Sequence, residues 1–334
     1  MRVLVVGLGS MGKRRVRNLR ALGVSSIAGY DIRDDRRREA AEKYGIPVFS
    51  EIGTALDHVN PDALVISTSP EQHMTYALMG FELGISCFIE ASVVDADRIL
   101  ELWNQVEKSQ IIMAPSCTMR YFSGPKKVKE LILTGAIGTP LNLNYQTGQY
   151  LPDWHPWESI EDYYVSNRPT GAGREIVPFE LTWLNDIFGS PEPLACVKAK
   201  LTDMPADIDD IYHCILRYPD KLLANLTIEV ISQPKVTREL RVLGTHGELV
   251  FSADENCVRY VNRNTLDWVS CDLSSGTVEN GYINPEEPYI EEMKDFLSAI
   301  RASDKSHYPN SLSDDYQVLQ VLYGLEKLSE KIVL

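Results

Sequence analysis

Residues 3–12 read VLVVGLGSMG. Val3–Val6 is a short β-branched run, and Gly7, Leu8, Gly9, Ser10, Met11 and Gly12 spell G-x-G-x-x-G. Val16, Leu19 and Leu22 follow at helical spacing until Gly23 stops them. A strand leading through such a loop into a helix is the pattern of a dinucleotide-binding turn. The first glycine allows the tight turn, the second lets the backbone approach a pyrophosphate, and the third lets helix pack on strand. The helix N-terminus adds free N–H groups and positive potential. With 21 glycines in the chain the bare pattern arises easily by chance, so the flanking strand and helix give it its weight.

Working outward, IAGYD (27–31) is the next strand and ends in Asp31. A carboxylate there accepts the ribose hydroxyls of NAD and repels the extra phosphate of NADP, which favours NAD. Arg33, with Arg36, Arg37 and Arg38, is either the solvated face of a helix or a group that stacks on adenine or holds a phosphate. Strands at 47–49, 62–68, 85–90 and 111–115 then alternate with helices at 34–44, 52–59, 73–83 and 95–108. That alternation predicts right-handed βαβ units in an α/β fold: a Rossmann doubly wound parallel sheet over residues 1–120. Its strands read as continuous apolar runs because both faces are buried, and its ligands lie beyond their carboxyl ends. Glu90 sits at one such end.

Past Pro115 the pattern changes. A helix at 124–134 and a strand at 141–150 precede the aromatic stretch 151–175, and a helix at 177–188 follows it. Short strands then recur at 196–201, 212–218, 222–231, 238–243, 248–251, 258–261 and 267–271, before helices at 288–302 and 313–331. The expectation is an α+β domain over 121–334, built on a mostly antiparallel open sheet, with the C-terminal helix packing back on the first domain. An open sheet face suits a second copy, hence a homodimer or homotetramer.

The aromatic stretch contains WHPWE (154–158). Trp154 and Trp157 suit stacking on a sugar ring. His155 is the titratable candidate near neutrality; the alternative is a histidine merely hydrogen bonded in a rigid loop. Tyr164, like Tyr163, offers a phenol that can relay a proton, or simply packs. Arg168 and Arg174 flank a Pro-Thr-Gly-Ala-Gly turn, where they either clamp a carboxylate or phosphate or stand in solvent.

The formal net charge of −14 argues against sequence-independent nucleic-acid binding, which needs a basic surface. The 6 cysteines are scattered without a CxxC pair, and no metal-ligand spacing appears, which reads as reduced thiols in a cytoplasmic protein with no metal. No apolar run has the length of a membrane span or a signal peptide.

These residues resemble the glucose–fructose oxidoreductase/inositol dehydrogenase/MocA (GFO/IDH/MocA) family along nearly the whole chain. The resemblance rests on GLGSMG (7–12), ISTSPEQH (66–73), GISCFIEAS (84–92), RYF (120–122), GAIGTP (135–140) and PFELTWLNDIFG (178–189). It implies NAD or NADP on the first domain and a sugar, polyol or related substrate on the second. Ser67, Thr68, Ser69, Pro70 and His73 would lie in the loop beside the nicotinamide ribose. Glu90 and Ala91 would lie at the cofactor in the stretch usually ending Glu-Lys-Pro, and Arg120 would belong with the substrate residues. The match breaks where the family keeps its proton carriers. Ala91 and Ser92 replace Lys and Pro, while Phe179 and Thr182 replace the His and Asp of the helix. The acid usually three residues before that histidine falls on Ile176, one position from Glu175. The expected function is therefore an NAD(P)-dependent oxidoreductase for a sugar, sugar nucleotide or polyol-like compound, with a non-standard proton path. His155, Tyr164 and a positioning Glu90 are its catalytic candidates. The alternatives are an NAD-retaining epimerase or lyase, and a non-catalytic nucleotide or sugar sensor.

Overall fold

The computed structural model of the chain describes residues 1–154, 156, 159–274 and 276–330, and strand and helix counts refer to these. It forms two compact units, Met1–Thr118 with Gly276–Tyr316, and Met119–Ser275 with Gln317–Leu334. The division 1–120 and 121–334 thus needs one correction: Gly276–Tyr316 groups with the first unit. The cause is a set of buried ion pairs between that segment and the first helix, described below.

The first unit runs β1 (Arg2–Val6), α1 (Ser10–Ala21), β2 (Ser26–Tyr30), α2 (Asp34–Tyr44), β3 (Val48–Phe49), α3 (Ile52–Val59), β4 (Ala63–Ile66), α4 (Pro70–Glu82), β5 (Ser86–Ile89), α5 (Ala96–Val106) and β6 (Met113–Pro115). The six strands are ordered β3-β2-β1-β4-β5-β6, all parallel, and reverse direction of winding between β1 and β4. Val3–Val6 and Ala63–Ile66 have no exposed surface, as central strands covered on both faces require. Two helices start earlier than periodicity alone suggests. Helix α1 begins at Ser10, inside the glycine motif, and α4 begins at Pro70, where the missing proline N–H costs no helix bond.

The second unit begins with α6 (Ser123–Leu133), β7 (Pro140–Gly148) and α7 (Ala172–Phe188). Strands β8 (Glu192–Ala199), β9 (Ile211–Arg217), β10 (Leu223–Glu229), β11 (Thr237–Gly244), β12 (Gly247–Ser252), β13 (Cys257–Asn262) and β14 (Trp268–Asp272) follow. Helix α8 (Glu287–Ala302) belongs to the first unit, and α9 (Leu312–Ser329) begins in the first and continues in the second. The eight strands are ordered β14-β13-β12-β11-β7-β10-β9-β8. All pairs are antiparallel except β7 with β10. One face of the sheet is core: Tyr145, Cys214, Leu226, Leu240 and Leu249 are at most 1% exposed. Among the described residues, all six cysteines are free thiols, no helix is long and apolar enough to cross a membrane, and no cluster of metal-ligating side chains occurs.

Candidate active site

The glycine loop folds for steric reasons. Gly7 has φ +93°, and a Cβ on it would stand 2.6 Å from the Ser67 carbonyl oxygen. A Cβ on Gly12 would stand 1.8 Å from the Gly7 carbonyl oxygen, so α1 touches the turn only because that side chain is absent. Gly9 differs. A Cβ there meets only the far end of Arg36, at 3.4 Å, and no acid occupies the first turn of α1. An open backbone edge at a helix N-terminus fits a pyrophosphate. Asp31, 5% exposed, accepts from the Leu8 N–H at 2.7 Å and the Arg33 N–H at 2.8 Å. Each carboxylate oxygen has a second lone pair, so ribose hydroxyls still have acceptors.

The basic cluster of α2 separates by role. Arg33 pairs with Asp35 at 2.6 Å, and Arg37 holds the Asp31 and Ile32 carbonyls at 2.8 and 2.9 Å. Arg38 pairs with Asp34 at 2.9 Å. Arg36 alone among these four reaches the glycine loop, with its guanidinium 3.9 Å from the Asp31 carboxylate.

The loop after β4 is built around Ser67–Pro70. The Ser67 hydroxyl donates to Glu90 at 3.2 Å, and the His73 Nε2–H donates to the Thr68 carbonyl at 3.0 Å. Burial lowers the His73 pKa, so the ring is a neutral brace for this loop. Glu90 is claimed by Arg15, whose Nε and second guanidinium nitrogen donate to its two oxygens at 2.7 and 2.9 Å. The same nitrogen lies 3.0 Å from Glu292 on α8, and the guanidinium lies over the Phe88 ring at 4.4 Å. Burial opposes the charge on Arg15, but Glu90 and then Glu292 hold its pKa above the ordinary range. Next to Glu90, Ala91 brings no titrating group. Beyond it, burial pushes Asp315 up to about 7, partly offset by the Ser92 hydroxyl.

In the second unit α7 corrects one expectation. It starts at Ala172, not near 177, and carries Pro178 inside it. Gly173 serves close packing on the segment leading into β9, since a Cβ there would stand 2.7 Å from the Asp209 carbonyl oxygen. Arg174 is therefore helical and does not flank a turn. It is 8% exposed and forms a two-point ion pair with Glu326 at 2.7 and 3.2 Å. Arg168 pairs with Asp207 and Asp209 at 2.8 and 2.7 Å. Both guanidiniums hold the unit together, which corrects the expectation of a substrate clamp. Arg120 donates to the Thr182 carbonyl at 3.1 Å and lies 3.6 Å from Asp186. Phe179 is half-buried, and the Thr182 hydroxyl turns back to its carbonyl at 2.7 Å, so neither replaces a proton carrier.

The titratable pair that emerges is Tyr164 and Glu175. The tyrosine hydroxyl donates to Glu175 Oε1 at 2.8 Å, while the buried Oε2 has no partner among the described residues. Burial pushes this carboxyl up to about 7, against the lowering effect of Tyr164. The buried indole N–H of Trp154 likewise lacks a partner among the described residues. His155 and Trp157 lie outside the described residues. Sequence reasoning passed over Arg15 and Glu292. The signal for Arg15 is helical spacing: it lies four residues before Leu19 and beside Val16, on the buried face.

A glycine cradle, an acid after the second strand and a doubly wound parallel sheet, joined to a unit built on a broad sheet, define a dinucleotide-dependent oxidoreductase class. The model described as "oxidoreductase family, NAD-binding Rossmann fold" matches residues 1–114, and the GFO/IDH/MocA C-terminal domain matches 126–250. The chain belongs to the GFO/IDH/MocA family. It is 28% identical over 146 residues to the myo-inositol 2-dehydrogenase of Thermotoga maritima, a match covering 42% of this chain and 43% of that relative's length. An oxidoreductase from Agrobacterium radiobacter, in complex with NAD+, L-tartaric acid and magnesium, has a TM-score of 0.85 at 12% identity, covering 99% of this chain and 96% of the other. Levoglucosan dehydrogenase with NADH and levoglucosan has a TM-score of 0.84 at 16% identity, covering 99% and 97%. At these identities the structural likeness concerns the fold.

Proposed function

We propose that this chain is an NAD-dependent dehydrogenase or reductase of a sugar- or polyol-like alcohol, with Glu175 and Tyr164 as its acid–base pair. The observation that carries the reading is a buried Oε2, without a partner among the described residues, on a carboxyl whose pKa is pushed up to about 7. A proton acceptor works best when its pKa lies near the working pH. Ala91 and Phe179 leave the family's usual positions without one. Sugar-like chemistry draws support from the named inositol and levoglucosan dehydrogenases. Trp154, whose buried indole N–H has no partner among the described residues, suits a hydroxylated ring.

Bound dinucleotide would supply the hydride acceptor. The chain's part is to bind, orient and move one proton. Gly9 and the start of α1 would grip the pyrophosphate, and Asp31 would take the adenosine ribose, which favours NAD over NADP. In the oxidising direction Glu175 accepts the hydroxyl proton through Oε2 as the carbon loses hydride, and the Tyr164 hydrogen bond to Oε1 stabilises the carboxylate. In the reducing direction the same carboxyl returns the proton. The test is steady-state turnover on a panel of polyols and sugars, followed by Glu175→Gln. The expected result is a loss of about 10²–10⁴-fold in kcat with NAD affinity retained. Unchanged turnover in that variant would remove Glu175 from the mechanism.

A further inference from the structure

The Arg15 site is more elaborate than an anchor for one helix needs to be. Arg15 has no exposed surface, and neither has Glu292, while Glu90 keeps 12% of its side chain exposed. One guanidinium is thus shared by two carboxylates. The rear carboxylate, Glu292, is fixed by the Ser116 hydroxyl at 3.0 Å, the Cys117 N–H at 2.6 Å, the Thr118 hydroxyl at 2.5 Å and the Tyr308 hydroxyl at 3.2 Å. The front carboxylate, Glu90, follows β5 and, among the described residues, accepts side-chain hydrogen bonds only from Ser67 and Arg15. The neighbouring Arg14 and Arg17 share Glu286 at 2.9 and 3.0 Å, which leaves one positive charge on that group, but their ion pairs do not include Glu90. His73 beside the loop is neutral.

In a doubly wound sheet of this order the adenosine half of a dinucleotide lies over β1 and β2, and the other half over β4 and β5. Glu90, directly after β5, would face that second half. Oxidised nicotinamide is a cation and reduced nicotinamide is neutral, so an under-compensated carboxylate distinguishes them by Coulomb attraction. Resting on the dinucleotide reading above, we propose that Glu90, pinned by the positioning residue Arg15 and backed by Glu292, makes this chain hold oxidised nicotinamide dinucleotide in preference to the reduced form. The proposal gives the triad a task that the proton path does not require.

The test measures dissociation constants for NAD+ and NADH by titration calorimetry, on the full chain without substrate. In Glu90→Gln, Glu292 still faces Arg15, so the guanidinium keeps a countercharge. Its NAD+ affinity is expected to fall about tenfold while NADH affinity stays within about twofold. Arg15→Lys keeps the charge but not the two-point grip, and should shift the ratio of the two constants in the same direction by a smaller factor. An unchanged ratio in Glu90→Gln overturns the proposal and leaves the dinucleotide reading standing. A wild-type chain that binds neither nucleotide overturns that reading itself.

Discussion

Burial keeps the Glu175 carboxyl protonated up to about pH 7, against an ordinary value of 4.5. Between those values the folded chain holds a proton that the unfolded chain has released. Unfolding free energy therefore falls as pH rises through this window and levels above it. Glu175→Gln removes the effect. The variant should gain stability over wild type at about pH 8, by at most about 3 kcal/mol, and gain nothing at about pH 4. Urea titrations at both pH values check this, and an equal difference at the two would contradict it. Asp315, also pushed up to about 7, adds a slope of the same sign to both proteins and cancels in the comparison. A carboxyl that destabilises the fold at working pH is a common accompaniment of a functional site.

At the scale of elements, α7 is fastened to the eight-stranded sheet by one buried acid. Glu180 has no exposed surface and accepts from Tyr145 and Trp183 at 2.7 Å each, and from Arg238 on β11 at 2.8 Å. Replacing Glu180 with Ala strands the Arg238 guanidinium and should cost about 3–5 kcal/mol in thermal or urea unfolding, whereas Tyr145→Phe should cost about 1 kcal/mol. Similar losses in the two variants would mean that the ion pair contributes little. The contrast also explains what the sequence could and could not disclose. Parallel strands such as Val3–Val6 announce themselves because burial on both faces leaves an unbroken apolar run, and the glycine loop does so because sterics permit no other residue at Gly7 and Gly12. The start of α7 was hidden because Gly171, Gly173 and Pro178 are local helix breakers, while close packing of Gly173 on the segment before β9 lets the helix begin at Ala172. Arg168 and Arg174 looked like solvent or substrate residues because their partners lie 39 and 152 positions away. Ion pairs of that kind carry no local periodicity.

At the scale of the whole molecule, the outer face of the second sheet carries exposed apolar side chains and has no covering layer of helices among the described residues. Cross-strand register sets Ile215, Asn225, Asn144 and Arg241 in one row, and Arg217, Leu223, Asn142 and Leu243 in the next. Ile215, Leu223 and Leu243 are 39%, 47% and 40% exposed. Rows that mix leucine and isoleucine with asparagine and arginine resemble an interface more than a core or an ordinary solvated surface. A two-fold related copy brings the same rows together, and antiparallel sheets that stack face to face bury such positions some 10 Å apart. We infer that two copies meet on this face, as a dimer or as half of a tetramer. Light scattering should then give at least twice the chain mass of 37.6 kDa. A net charge of −14 makes the association stronger as salt rises, because like charges on the two copies are screened while the apolar contact is not. Ile215→Asp with Leu223→Asp should return the particle to the mass of one chain with its thermal transition retained, since both side chains lie outside the core. A wild-type chain that runs as a monomer at high salt, or a double variant that still associates, would place the contact elsewhere.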